Sequence, residues 1–195
     1  MAWEENRDIP FSISKTQGKW PPPKEWLSIQ PLQQEISKLG DNITGCEIGA
    51  SIGVSTIYIL DNVHAIKKMY TIDPFDGTIN LQLAKQFFLK NISEPDYNEK
   101  IVFIEKTSDD AVNDIADNEL DFVFIDGLHT TEQVYKDILN YYPKLRSGGL
   151  ISGHDWPMLG RVVENGVFNA LEELNITRDK LQITADTSCW YWTKE

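Results

Sequence analysis

Asp121-Phe122-Val123-Phe124-Ile125-Asp126-Gly127-Leu128-His129 is the stretch from which the rest of the chain is read. Phe122–Ile125 is apolar at every position, so both faces of the extended segment must be covered. That is the pattern of a strand in a parallel sheet lying between two helical layers. The run stops abruptly at Asp126-Gly127, and a helical pattern follows over Thr131–Leu145, with Val134, Ile138, Tyr141 and Leu145 on one face. A buried strand, a polar strand end and a one-faced helix make a βα unit.

Working outward, the same unit recurs. Ile43–Ile48 leads to a helix from about Gly53 to Leu60, and Met69–Ile72 leads to one from about Ile79 to Leu89. Ile101–Ile104 precedes a short helix near Asp109–Ile115, and Leu150–Ile151 precedes one over Arg161–Leu174. Upstream, Pro31 suits a first helical turn, with Leu32, Ile36 and Leu39 on one face before Gly40. Near the C-terminus the alternation breaks. Leu181–Thr184 and Cys189–Thr193 flank the polar turn Ala185-Asp186-Thr187-Ser188 and predict a hairpin. The expectation is a doubly wound α/β domain over residues 31–195, of five βα units plus a two-stranded ending. Residues 1–30 stand apart as an N-terminal arm or cap, because Trp3, Trp20 and Trp26 surround Pro21-Pro22-Pro23. Such an arm is either glued to the domain by its tryptophans or serves as a lid over a ligand.

Composition narrows the function. Eighteen Lys and Arg stand against 30 Asp and Glu in 195 residues, a formal net charge of −12. Binding through phosphate backbones needs a basic footprint, so a nucleic-acid partner is not expected. A polybasic membrane-surface role is disfavoured for the same reason. No run approaches the ~18 apolar residues of a membrane span, and the acidic start MAWEENRDIPF does not have the form of a signal peptide. Two cysteines, Cys46 and Cys189, make neither a disulfide framework nor a zinc ribbon, and a reduced cytoplasmic setting fits them.

In such sheets ligands bind beyond the carboxyl ends of the strands, where strand order reverses. The first of these ends is Glu47-Ile48-Gly49-Ala50-Ser51-Ile52-Gly53-Val54-Ser55-Thr56. Its G-x-x-x-G spacing suits close approach of a ligand to backbone, but is not the G-x-G-x-x-G of a pyrophosphate binder. Asp73 closes the second strand 24 residues beyond Gly49, near the ~20 expected of a carboxylate that accepts ribose hydroxyls. Ser108-Asp109 follows the third strand and reads either as an adenine-edge contact or as a plain helix cap. Asp126 and His129 follow the fourth strand, and His154 and Asp155 the fifth. Two carboxylates and two imidazoles converging at one rim suit a divalent cation, a general base, or both. Caps for the following helix and loop are the alternative. His64, the remaining histidine, has no such company and reads as surface.

Taken together, these residues resemble the class I S-adenosylmethionine-dependent methyltransferases. The likeness is to small O-methyltransferase-like proteins with E-I-G-x-x-x-G-x-S, I-D-G-x-H and G-G-x-x-x-G-H-D segments, here Glu47–Ser55, Ile125–His129 and Gly148–Asp155. The resemblance covers about residues 40–193 and implies a Rossmann-like, seven-stranded, mostly parallel sheet whose last strand is antiparallel. It implies S-adenosylmethionine as cofactor, held by Glu47, Gly49, Ser51, Gly53, Ser55, Asp73, Ser108, Asp109 and Asp126. Gly49 and Gly53 would pass its methionine part, and Asp73 would hold its ribose. It implies a divalent cation, Mg²⁺ or Mn²⁺, on Asp126, His154 and Asp155, with a neutral His129 as base beside Asp126. Leu128 and Thr131 depart from the usual polar and tyrosine residues, and His154 stands where better-known metal enzymes carry Asp. The acceptor is expected to be a small molecule with aromatic or apolar character. The arm at Trp20–Trp26, Phe75-Asp76-Gly77 and Trp156-Pro157-Met158-Leu159 are candidates for its pocket wall. Six tryptophans in so small a chain leave room for a homo-oligomer. The competing readings are a dehydrogenase, a metal-dependent hydrolase using Asp126, His129, His154 and Asp155, and a non-catalytic nucleoside-binding module.

Overall fold

The computed structural model describes residues 29–76, 79–157, 159–185 and 188–195. The chain runs α1 (Gln30–Ser37), β1 (Ile43–Ile48), α2 (Val54–Asn62), β2 (Ile66–Ile72), α3 (Ile79–Asn91), α4 (Pro95–Asn98) and β3 (Ile101–Ile104). It continues through α5 (Ser108–Ala111), β4 (Leu120–Ile125), α6 (Thr131–Tyr141), β5 (Leu145–Gly153), α7 (Val162–Glu173), β6 (Gln182–Ile183) and β7 (Trp190–Thr193). The seven strands lie in the order β3-β2-β1-β4-β5-β7-β6. All pairs from β3 to β5 are parallel, and β7 is antiparallel to both β5 and β6. This is the Rossmann-like methyltransferase fold, and the expected terminal hairpin enters the sheet through its second strand.

Both sheet faces are covered, as the apolar runs require. Alternate residues of each strand point to opposite layers. Cys46, Ile48, Tyr70, Ile72, Val123, Ile125 and Ile151 pack with Val134, Ile138 and Tyr141 of α6 and Val163, Val167 and Leu171 of α7. Ile43, Met69, Phe122, Phe124 and Leu150 pack with Leu32 and Ile36 of α1 and Ile59 and Leu60 of α2. Phe122 and Phe124 are fully buried, each contributing about 2–3 kcal/mol of transfer free energy. Cys46 and Cys189 are buried free thiols.

The structure moves several boundaries. The helix expected to reach Leu145 ends at Tyr141; Tyr142–Lys144 form one 3₁₀ turn and Leu145 opens β5. Pro143 causes this, since it has no N–H with which to continue the hydrogen-bond ladder after Tyr142, which is still helical at φ −58° and ψ −41°. β2 starts at Ile66, three residues early, because Lys67 and Lys68 mask the strand's polar beginning. The helix expected near Asp109–Ile115 is the single turn of α5 followed by a 3₁₀ turn, Val112–Asp114. The arm expected over residues 1–30 lies outside the described residues except for Ile29, which is buried in the core, and Gln30, which opens α1. No helix among the described residues is long and apolar enough to cross a membrane.

Candidate functional site at the carboxyl ends of the strands

Strand order reverses between β1 and β4, so their loops form the crevice. Beyond β1 the chain turns through Gly49 at φ +93°, Ser51 at φ +48° and Gly53 at φ +84°. The Gly49 N–H donates to the Ile72 carbonyl at 2.8 Å, and the Asp126 N–H donates to the Ile48 carbonyl at 2.8 Å. A Cβ on Gly49 would stand 2.2 Å from the Asp126 carbonyl oxygen. The loops after β1 and β4 therefore meet backbone to backbone, and only glycine fits between them. Gly53, where a Cβ would lie 3.0 Å from the Phe88 ring, begins α2 in the left-handed region.

Glu47 sits beneath this turn, fully buried, and the hydroxyls of Ser55 and Thr56 donate to its two carboxylate oxygens. Burial pushes its pKa up to about 8 against the lowering effect of those hydrogen bonds. Glu47 and Ser55 thus brace the strand end against the first turn of α2. Thr56 was not singled out in the sequence, although its place beside Ser55, nine residues after a strand-end glutamate, is the signal for it.

Asp73, half-buried at the end of β2, accepts the Ser51 N–H at 2.8 Å and the Phe75 N–H at 2.9 Å. It therefore ties two loops together and is not a helix cap. Phe75 does not line an acceptor pocket. It is fully buried, with its ring centroid 5.7 Å from Phe88 and 5.8 Å from Phe103. Asp73 turns the chain back into the core at Phe75, which has φ +45°. Nor does Ser108-Asp109 cap a helix: the N-cap of α5 is Thr107, whose hydroxyl accepts the Asp110 N–H. Ser108 and Asp109 instead face α6, where Gln133 donates to Ser108 at 3.2 Å and Asn140 to Asp109 at 3.1 Å.

Ile125 and Gly153 are paired in the parallel register of β4 and β5, which sets the residues after them side by side. The His154 N–H donates to the Ile125 carbonyl at 3.1 Å. His129 Nε2 lies 2.8 Å from Asp155 Oδ2 and 3.2 Å from Asp126 Oδ1, and His154 Nδ1 lies 3.3 Å from Asp155 Oδ1. Four residues from two loops thus share one rim. Asp126 is not the cap of α6, because Thr130 is, accepting the Gln133 N–H at 3.1 Å. Asp155 holds φ +61°, a conformation uncommon outside glycine and concentrated at functional sites. His64 is exposed and remote in sequence from this group.

Electrostatics couple the cluster. Burial acts to lower the pKa of His129, but the hydrogen bonds and charges of Asp126 and Asp155 outweigh it and raise the value to about 9. His154 is raised by the same balance. Burial acts to raise Asp155, and the two imidazoles overcome it and hold the carboxyl well below its usual range. In this arrangement His129 is an imidazolium between two carboxylates, not the neutral ring a base begins from. Asp126, His154 and Asp155 each offer one ligand atom, all within 4.8 Å of one another. Two carboxylates and an imidazole match the donor preferences of Mn²⁺ and similar ions better than those of Mg²⁺. Leu128, between Asp126 and His129, is 61% exposed. Trp156 is half-buried, edge-on to Phe168 at 5.6 Å.

A doubly wound sheet with a glycine turn at its switch point, an acidic residue closing the next strand and a charged rim over β4 and β5 defines a class I methyltransferase domain. The chain belongs to the methyltransferase-domain family, whose model matches residues 46–156. The fold is shared by an O-methyltransferase from Bacillus cereus in complex with S-adenosylhomocysteine, at 16% identity and TM-score 0.65 over 98% of this chain and 90% of that one. A Staphylococcus aureus protein described as a caffeoyl-CoA O-methyltransferase is similar at 18% identity and TM-score 0.64, over 87% and 83%. Spermidine synthase from Thermotoga maritima is similar at 18% identity and TM-score 0.60, over 88% of this chain and 59% of that one. No curated protein matches the sequence.

Proposed function

We propose that this chain transfers the methyl group of S-adenosylmethionine to an oxygen of a small molecule, in the crevice between the loops after β1 and β4. The observation that carries this reading is the Gly49 turn, which Asp73 anchors through Ser51 and which abuts the peptide of Asp126. A nucleoside-binding edge and a proton-handling rim are thereby joined in one structure. The fold alone does not choose the group transferred, since a spermidine synthase shares it; the family match favours methyl. When bound, the cofactor supplies an electrophilic methyl group on a sulfonium.

The chain's own work is alignment, exclusion of water and acceptance of a proton. Asp73, which accepts the peptide N–H groups of Ser51 and Phe75, presents the carboxylate that would accept ribose hydroxyls. Gly49, Ser51 and Gly53 present backbone to the methionine part. His129 takes the acceptor proton only after giving up its own, so its base form gains population as pH rises towards 9, and Asp126 and Asp155 stabilise the imidazolium that results. Asp126, His154 and Asp155 would hold a divalent cation, which lowers the pKa of a coordinated hydroxyl. Leu128, exposed beside the base, gives the acceptor an apolar contact, in keeping with an aromatic or apolar body next to the methylated oxygen.

Calorimetric titration with S-adenosylhomocysteine tests the reading, before and after EDTA and with added Mg²⁺ or Mn²⁺. Binding that Asp73→Ala weakens about 10- to 100-fold is expected. A folded protein that binds nothing under any of these conditions overturns it.

A further inference from the structure

Asp137 lies in the middle of α6 and is 1% exposed, a costly place for a carboxylate. Its Oδ2 has no hydrogen-bond partner among the described residues. Its Oδ1 accepts the Ser108 hydroxyl at 2.6 Å and Gln133 Nε2 at 2.9 Å. Gln133 Nε2 also donates to Ser108 Oγ at 3.2 Å, and the Tyr141 hydroxyl donates to the Ser108 carbonyl at 2.8 Å. Helix α6 therefore grips Ser108 at three points. Burial raises the pKa of Asp137 to about 6, so at pH 8 it is ionised and can only accept hydrogen bonds.

The consequence is directional. A serine hydroxyl has one proton to give, and that of Ser108 is committed to Asp137. Gln133 uses one of the oxygen's lone pairs, and one remains. A further group that reaches Ser108 Oγ must therefore be a donor. The proposed cofactor carries such a donor at its far end, the exocyclic amine of adenine. Its 6-oxo counterpart, with hypoxanthine in place of adenine, presents an acceptor at that position.

Resting on the methyltransferase reading and on Ser108 at the adenine edge, we infer that Asp137 is a positioning residue that makes Ser108 accept-only, so that the site selects a 6-amino purine over a 6-oxo purine. An apolar residue would fill the same space in α6 without the cost of burying a charge, and would leave Ser108 free to rotate. Discrimination built on a buried polar group is strong, because the wrong partner leaves that group unsatisfied.

The test is calorimetry at pH 8 with S-adenosylhomocysteine and with S-inosylhomocysteine, read as the ratio of the two Kd values. The unmodified protein is expected to prefer the amino compound by at least tenfold. Asp137→Ala and Ser108→Ala should each bring the ratio down at least threefold, whereas Asp137→Asn, whose amide oxygen can still take the serine proton, should retain it. A general loosening of the fold would weaken both ligands together and leave the ratio unchanged. An unchanged ratio in both alanine variants overturns the inference. Should Asp137→Ala fail to fold, Ser108→Ala and Asp137→Asn decide it alone. Failure of the unmodified protein to bind either compound overturns the cofactor reading itself.

Discussion

The carboxylate of Asp73 accepts the peptide N–H of Ser51 at 2.8 Å, so the end of β2 holds the glycine turn that follows β1. A residue read as a ribose ligand is therefore also a clamp on the loop beside it. Asp73→Ala removes both functions, and S-adenosylhomocysteine is expected to bind about 10- to 100-fold more weakly. Asp73→Asn keeps one acceptor oxygen and should fall between the two. Titration calorimetry measures both, and wild-type affinity in Asp73→Ala would remove the residue from the site.

His129 and Asp126 divide the labour differently. His129→Ala or Asp126→Ala is expected to lower methyl transfer by about 10²- to 10⁴-fold, with cofactor affinity nearly intact. The measurement is turnover on a panel of phenols and sugars beside the Kd for S-adenosylhomocysteine. A collapse of that Kd in Asp126→Ala would contradict the assignment of its side chain to the acceptor rim.

Gly49 and Gly40 make a controlled pair. Both have positive φ, +93° and +106°, but a Cβ at Gly49 would collide with the Asp126 peptide whereas nothing lies within 4 Å of one at Gly40. Gly40→Ala should cost only backbone strain, about 1–2 kcal/mol. Gly49→Ala adds displacement of the β4 loop and should cost about 3 kcal/mol or more. Denaturant unfolding of the two variants compares them directly, and equal losses would show that the crossing of the two loops is not tight.

Stability should depend on pH through Glu47. Its ordinary pKa of 4.5 is raised to about 8 in the fold, mainly by burial, so the folded state holds this proton more tightly than the unfolded chain. The contribution to stability is complete below pH 4.5 and is lost as pH rises towards 8. Asp137, raised from 3.8 to about 6, acts in the same direction over a lower window. Glu47→Gln should flatten the fall in Tm between pH 5 and pH 8. A melting profile as steep as that of the unmodified protein would mean that Glu47 is not the group responsible.

Leu128 tests the nature of the acceptor. Leu128→Ala should raise the acceptor KM about tenfold, the effect of losing a few buried methylene groups, without changing the Kd for S-adenosylhomocysteine. An unaltered KM for every acceptor turned over would place Leu128 outside the acceptor's path.

The alternation of buried strands with one-faced helices was legible in the chain because it rests on local periodicity. Phe122–Ile125 could only be a strand covered on both sides, and the hairpin near Ala185 had no helical alternative. Local signals misled where charge or proline intervened. Lys67 and Lys68 hid the start of β2, and the apolar Leu145 extended a helix that Pro143 had already ended. The strand-end residues were also legible, since a doubly wound sheet sends its ligands to one rim. That Asp126, His129, His154 and Asp155 converge on one rim was legible too, from the adjacency of strands four and five; the individual pairings within the group were not. That His129 lies between Asp126 and Asp155 follows from the parallel register of β4 with β5, which places residues 126 and 154 side by side.

By itself, then, the sequence determined the class of fold, the rim on which chemistry is possible and the residue types available there. The tertiary structure alone decided that Phe75 packs into the core, that Glu47 is sealed beneath its turn, and that Ser108 is held by Asp137, 29 residues away on another helix. Periodicity reports which way a side chain points from its own element. Hydrogen bonds and pKa values depend on what a different element brings within about 3 Å, and that distance exists only once the chain has folded.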